Sequence, residues 1–307
     1  MILIDVTMTI YELGETAIVS QIIEHLNIEF EDCAILDLTD TEYLVATTDM
    51  FHRKTDFPEG IAAWQIGWMC VAGTLSDVAA MGAHPCGVLV SMGLPDLEPA
   101  FVDSMIDGMN ACASECGTRI IGGDTDSHQE LTISGTALGR ISKGRILRRK
   151  GANIGDLVCV TGYLGTAGAG MKALAHGIED STAIKKLFEP IPRIKEGTRL
   201  AESGAVTSMM DNSDGLALSL YQLAEINRCG FVIWADSLPV LPEIDTDLAV
   251  YAGGDFELLF TVAPERLSDA EDACELTVIG EVTMEGVFLE AGGIKEIEQR
   301  GYRSFPC

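Results

Sequence analysis

The chain has 307 residues, enough for two domains with cores of their own, and 47% of them are hydrophobic. Its formal net charge of −27 repels nucleic acid, anionic membranes and free phosphate alike, so a phosphorylated ligand has to be met through cations. No apolar run reaches the about eighteen residues that span a bilayer, the N-terminus lacks the basic-then-apolar order of a signal peptide, and the nine cysteines include no CxxC pair. The expectation is a cytoplasmic protein with reduced thiols that binds neither nucleic acid nor membrane.

Residues 15–26 carry apolar groups at helical spacing behind a leading Glu15, which predicts an amphipathic helix. Two strand-like runs follow, 33–38 and 43–48, joined by the polar turn Thr39-Asp40-Thr41-Glu42, a hairpin signal. Glu31-Asp32 precedes the first run, and the second ends in Thr47-Thr48-Asp49. Residues 60–81 read as a helix with Trp64, Trp68, Val71, Leu75 and Val78 on one face; Asp77 lies there beside Ala79, Ala80 and Gly82, where an acid needs solvent or a cation. A strand at 87–93 and a helix at 100–116 continue the alternation. Gly122-Gly123-Asp124 then reads as a turn whose glycines let backbone approach a ligand, or equally as an ordinary strand end.

Residues 131–141 form a further strand. Arg145, Arg148, Arg149 and Lys150 make the chain's concentrated basic segment, either a phosphate contact or a charged linker, and the domain boundary is placed there, between 147 and 148. In the second half a strand at 156–161 runs into a glycine-rich turn, 162–170. It lacks the Gly-Lys-Ser/Thr of a Walker A loop, yet opens a helix whose N-terminus can cradle an anion. Met209-Met210-Asp211-Asn212-Ser213-Asp214-Gly215 then sets two carboxylates where a strand gives way to a helix. Oxygen donors without histidine or thiolate suit Mg²⁺, and helix capping explains the same residue types. Gly253-Gly254-Asp255 repeats the Gly-Gly-Asp theme near the end.

Taken together these stretches resemble the thiamine-monophosphate kinases, one branch of the aminoimidazole ribotide synthetase-like superfamily, which also holds selenophosphate synthetase and a hydrogenase-maturation protein. The signatures that carry the resemblance are Thr48-Asp49, Leu75-Ser-Asp-Val-Ala-Ala-Met-Gly-Ala, Ile121-Gly-Gly-Asp-Thr, Leu147-Arg-Arg-Lys-Gly-Ala, Asp211-Asn-Ser-Asp-Gly-Leu, Gly254-Asp-Phe-Glu-Leu-Leu-Phe and Gly301-Tyr-Arg-Ser-Phe. It implies an α/β plus α+β fold of two domains. Residues 1–147 would bind ATP and Mg²⁺ and pair their sheet with its twin in a homodimer; residues 148–307 would form the C-terminal α+β domain.

The resemblance also implies roles. Asp32, Thr48, Asp49, Asp77, Asp124, Asp211 and Asp214 would hold Mg²⁺; Thr47, Gly123, Arg149 and Ser213 would hold the nucleotide; Asp56, Gly254 and Tyr302 would face the acceptor. The implied reaction is metal-assisted in-line transfer of the ATP γ-phosphoryl group to thiamine monophosphate, giving thiamine diphosphate, with no protein nucleophile. Two positions depart from the commoner pattern: Asp56 stands where a histidine is usual, and Gly254 where a glutamate is. Asp56 is read as a negative charge near the acceptor's cationic ring and Tyr302 as a stacking face; a turn cap or a pair with Lys54 is the competing reading of Asp56. A terminal Cys307 keeps a second activity open, since the hydrogenase-maturation relative uses a C-terminal cysteine as its carbamoyl acceptor.

Overall fold

The computed structural model describes residues 9–178, 182–242 and 244–302. Cys307 lies outside the described residues, and so does the end of the Gly301-Tyr302 signature. The described residues begin with α1 (Ile10–Leu13) and α2 (Glu15–Leu26), followed by β1 (Ala34–Asp37), β2 (Glu42–His52), α3 (Ala63–Ala80), β3 (His84–Leu94), α4 (Pro99–Glu115), β4 (Ile120–Ser127) and β5 (Thr132–Ser142). These strands form a five-stranded sheet in the order β1-β2-β5-β3-β4, in which only β3 and β4 run parallel.

β5 shows why the sheet has one covered face: along it, buried residues Ile133, Gly135, Ala137, Gly139 and Ile141 alternate with more accessible ones. The buried set meets α3, where Thr74 and Val78 lie against Gly135 and Gly139. α3 packs closely on α4, because a Cβ on Gly67 would fall 1.9 Å from the Met105 carbonyl oxygen and one on Gly108 would fall 1.8 Å from that of Trp64. The opposite face of the sheet is open. Met50, Leu89 and Ile121 stand on it or at its edge, 61%, 37% and 44% exposed.

Residues 143–156 hold no helix or strand and join the halves. The second half contains β6 (Leu157–Val160), α5 (Thr166–Ala175), α6 (Thr182–Phe188), α7 (Ile194–Ser203), β7 (Val206–Asn212), α8 (Leu216–Asn227), β8 (Gly230–Trp234), α9 (Thr246–Tyr251), β9 (Glu257–Val262), α10 (Leu267–Ala273), β10 (Thr277–Thr283), β11 (Val287–Glu290) and β12 (Ile294–Glu296). Its seven-stranded sheet has the order β12-β11-β8-β10-β6-β9-β7. α3 also touches this half: Ala79 meets Gly197 of α7 so closely that a Cβ there would lie 2.2 Å from the Ala79 carbonyl oxygen, and Trp68 Nε1 donates to the Pro190 carbonyl at 2.7 Å.

Two expectations are corrected. Thr47-Thr48-Asp49 does not end its strand, because β2 stays paired with β5 as far as His52. Gly122-Gly123-Asp124 is not a turn but the middle of β4, where Gly123 lies so near the Val90 carbonyl that a Cβ would come within 1.8 Å. Both changes matter for where side chains point.

Candidate active site

Three carboxylates from distant parts of the chain converge. β7 carries Asp211 out of the apolar pair Met209-Met210; α3 supplies Asp77; and Asp32 sits just before β1. One oxygen of each lies within 4.8 Å of the others. Neutral donors fix them: Ser76 Oγ donates to Asp211 Oδ2 at 2.8 Å, and the Thr47 hydroxyl donates to Asp77. Arg149 Nη2 donates to Asp32 Oδ1 at 2.5 Å, while Asp32 Oδ2 is buried with no hydrogen-bond partner among the described residues.

Buried acids this close repel one another. Burial first, then Asp49, Asp211 and Asp32, raise Asp77 well above the carboxylate range. Burial and Asp32 push Asp211 up to about 7. Burial also lifts Asp49 to about 6, and Asp214 to about 6 with help from Glu15. Burial opposes the charge of Arg149, but Asp32, backed by Asp211 and Asp77, holds it above its ordinary value. A cation resolves the repulsion. The donors are all hard oxygens, and the orphaned Asp32 oxygen lacks only a positive partner, so the residues present fit Mg²⁺.

Two adjoining cavities lie here, and Asp77 and Asp211 of the cluster line the larger one. The larger, of about 850 Å³, is lined by Asp49, Asp77 and Asp211 on one side and by Asp56, Gly254 and Tyr302 on the other. The smaller, of about 460 Å³, is lined by Arg149, Phe30 and Gln222. Glu15, Ser213, Asp214 and Tyr302 belong to both, so Ser213 and Asp214, just past Asp211, stand where the two spaces adjoin. In the smaller one Arg149 stacks on Phe30, 4.6 Å from its ring centroid, and Nη1 donates to Gln222 at 3.0 Å.

Three residues expected at the site are elsewhere in the chain's own geometry. Strand alternation turns Thr48 away from Thr47 and Asp49, onto the open face, where it bonds Thr136 and the Gly135 carbonyl. Gly123 and Asp124 lie on the exposed edge strand β4, three positions from β2, a separation of about 14 Å at ladder spacing. Asp124 thus stands apart from Asp49 within one chain.

Two further anion sites expected from sequence are answered by the protein itself. The N-terminus of α5 is filled by Asp255, which accepts from the Gly165 and Ala167 amides at 2.6 and 2.9 Å. In the basic segment, Arg148 pairs with Glu29 and Arg145 with Glu202, leaving Arg149 as the member that reaches the site.

The model of the AIR synthase related protein family matches residues 30–141 with its N-terminal domain and 153–290 with its C-terminal domain. The chain is 44% identical over 276 residues to a thiamine-monophosphate kinase of Methanospirillum hungatei, covering 89% of this chain and 92% of the relative. It is 38% identical over 260 residues to that of Halobacterium salinarum, covering 81% and 88%. The chain belongs to the thiamine-monophosphate kinase family of AIR synthase related proteins. Among solved structures, AaThiL complexed with AMPPCP and TMP superposes with a TM-score of 0.90 at 28% identity, over 98% of this chain and 100% of that one. The hydrogenase maturation protein HypE of E. coli, at 23% identity and a TM-score of 0.75 over 94% of this chain and 98% of its own, shares the fold.

Asp56, on the wall of the large cavity, serves both its own turn and Tyr302. Its Oδ2 caps a turn, accepting from the His52 amide and the Thr55 hydroxyl at 2.7 Å each. Its Oδ1 accepts from the Tyr302 hydroxyl at 2.8 Å. Lys54 is not its partner, since it pairs with Glu130 at 2.9 Å. Gly254 has φ +94, a left-handed value that excludes an unstrained side chain, and Phe256, also on the cavity wall, holds φ 53.

Sequence reasoning missed Phe30, Gln222 and Ser76 as site residues. Ser76 stood next to Asp77 and was legible as a neighbour; Phe30 and Gln222 carry no motif and meet Arg149 only through the fold. Glu15 was visible as the head of its helix, which the structure brings to both cavities.

The Gly-Gly-Asp-Phe-Glu stretch also anchors the site. Glu257, 5% exposed, takes a two-point contact from Arg193, Nε to Oε2 and Nη2 to Oε1, both at 2.6 Å, plus the Thr161 hydroxyl at 2.7 Å. Arg193→Ala is expected to cost about 3–5 kcal/mol of unfolding free energy, because it strands a buried carboxylate. Denaturant titration checks this, and a loss below about 1 kcal/mol would show the pair to be dispensable.

Proposed function

We propose that this chain is an ATP-dependent phosphotransferase with a phosphate group as acceptor, converting thiamine monophosphate to thiamine diphosphate. The observation that carries the reading is the pair of adjoining cavities that share Ser213 and Asp214, one of them lined by Asp49, Asp77 and Asp211: two neighbouring spaces beside a carboxylate cluster are the arrangement direct transfer needs. The kinase relatives and the AaThiL likeness support the same chemistry.

The nucleotide occupies the side of Arg149 and Ser213, and the acceptor the side of Asp56, Gly254 and Tyr302. An acceptor phosphate is largely dianionic at neutral pH, so no side chain has to remove a proton from it. The difficulty is to hold two polyanions in line. Bound Mg²⁺ supplies the charge neutralisation and Lewis acidity for that. Asp32, Asp49, Asp77, Asp211 and Asp214 would hold Mg²⁺; Thr47 and Ser76 keep two of those carboxylates in register, and Arg149 contributes a fixed positive charge on the nucleotide side. We divide the chain at 147/148, so the site lies between an N-terminal and a C-terminal domain, and assign it to the cytoplasm.

The open sheet face belongs, in this reading, to a homodimer. A second copy of the same sheet would cover Met50 and Leu89 and the face that carries Thr48. Sedimentation equilibrium should give twice the chain mass, and a monomer at micromolar concentration would remove this assignment.

The deciding experiment measures ADP release with thiamine monophosphate, with a carbamoyl donor, or with neither. Release that depends on thiamine monophosphate, with thiamine diphosphate formed one for one, supports the reading. Turnover stimulated by the carbamoyl donor instead would assign the chain to maturation chemistry through Cys307.

A further inference from the structure

Tyr302 touches both walls of the large cavity. Its backbone N–H donates to the Asp214 carbonyl at 3.0 Å, on the wall that carries the carboxylate cluster. Its hydroxyl donates to Asp56 Oδ1 at 2.8 Å, on the far wall and 246 residues away in sequence. The main chain under it is tightly held: a Cβ on Gly301 would lie 2.4 Å from the same Asp214 carbonyl, and one on Gly253 would lie 3.0 Å from Tyr302 Cβ. Asp56 is equally fixed, because its other oxygen is bound to the His52 amide and the Thr55 hydroxyl. The ring between these anchors has few orientations left.

We propose that Asp56 and the Tyr302 hydroxyl form a latch that sets the tyrosine ring across the large cavity, making Asp56 a positioning residue for the recognition of an aromatic, cationic acceptor. The inference rests on the acceptor assignment above and deepens it. A phenol that donates to a carboxylate becomes more electron-rich, so the same hydrogen bond that orients the ring also strengthens its attraction for a cation on its face. Asp56 thus acts through Tyr302 instead of pairing with the acceptor's charge. That accounts for how a chain with glycine at 254 and no histidine at 56 still presents a defined face to a thiazolium.

The test is a cycle of Tyr302→Phe, Asp56→Asn and the double variant in the full chain. Tyr302→Phe keeps the ring and removes only the hydroxyl. It is expected to raise KM for thiamine monophosphate about fivefold, the equivalent of one hydrogen bond, with kcat and KM for ATP within about twofold. Asp56→Asn leaves a weaker, neutral acceptor, so it should raise the same KM by no more than Tyr302→Phe does, and the double variant should be no worse than Tyr302→Phe alone, because all three act on one contact. An unchanged KM in Tyr302→Phe, or single effects that multiply in the double, would overturn the latch. If Asp56→Asn unfolds, Tyr302→Phe decides alone.

A readout free of substrate separates failure of the latch from failure of the acceptor assignment. Amide hydrogen exchange at 301–302 and 52–56 should quicken in Tyr302→Phe even if thiamine monophosphate proves not to be the acceptor. Unchanged exchange there would sink the latch whatever the substrate.

Discussion

Asp211→Asn is expected to lower kcat by about a thousandfold, a loss of about 4 kcal/mol in transition-state stabilisation, with the fold intact. The carboxylate is one of three that converge within 4.8 Å, and its oxygens accept from Ser76 at 2.8 Å and from Ser213 at 3.4 Å. An amide keeps the shape and the hydrogen bond while removing the charge that would face Mg²⁺. Steady-state turnover at saturating ATP and acceptor measures the effect. A variant with more than about a tenth of wild-type kcat would take Asp211 out of the reaction centre.

The second large effect is on stability and follows from the same crowding. Asp49 at about 6, Asp214 at about 6, Asp211 at about 7 and Asp77 higher still are all raised by burial above the unfolded value of about 3.9. The folded, metal-free chain therefore holds protons that the unfolded chain has released. Their stabilising contribution is complete below about pH 4 and is lost as pH climbs through 6 and 7. Between pH 5 and pH 8 in EDTA the protein should lose on the order of a few kcal/mol, seen as a falling melting temperature. Added Mg²⁺ should recover more at pH 8 than at pH 5, since it competes with protons for the same oxygens. In EDTA at pH 8 Asp211→Asn should melt above wild type, the reverse of its effect on turnover. A melting temperature in EDTA that is flat or rising over this range would mean that the acids do not share one buried site.

How much of this was legible beforehand differs by element. The helix headed by Glu15, the hairpin around Thr39–Glu42 and the buried helix that carries Asp77 could be read from periodicity alone, because each has one apolar face or is apolar throughout. The Asp211 turn was legible because two acids at a strand–helix junction are a local signal. What was not legible was direction. Thr48 and Asp124 sit in motifs with the right residues, yet whether a strand stops or continues is set by its partner, and the eleven-residue pairing of β2 with β5 turns Thr48 outward. Arg149's stacking on Phe30 and the contact of Tyr302 with Asp56 join residues more than a hundred positions apart, which no spacing rule reaches. The glycine-rich turn before α5 misled for a related reason: its anion is Asp255, supplied from within.

α3 has a mechanical consequence. It is buried along nearly its whole length, pressed without side-chain spacers onto α4 at Gly67 and onto α7 at Gly197, and in its last two turns it carries the Ser76-Asp77 pair at the carboxylate cluster. Separating the halves like the leaves of a book would strip a close-packed helix from one neighbour or the other, a penalty far beyond thermal fluctuation. The halves are accordingly expected to stay together while substrates exchange, with α3 rigid between them. Its amides should remain protected from exchange throughout turnover, and exchange in α3 that accelerates with turnover would mean that the halves do part.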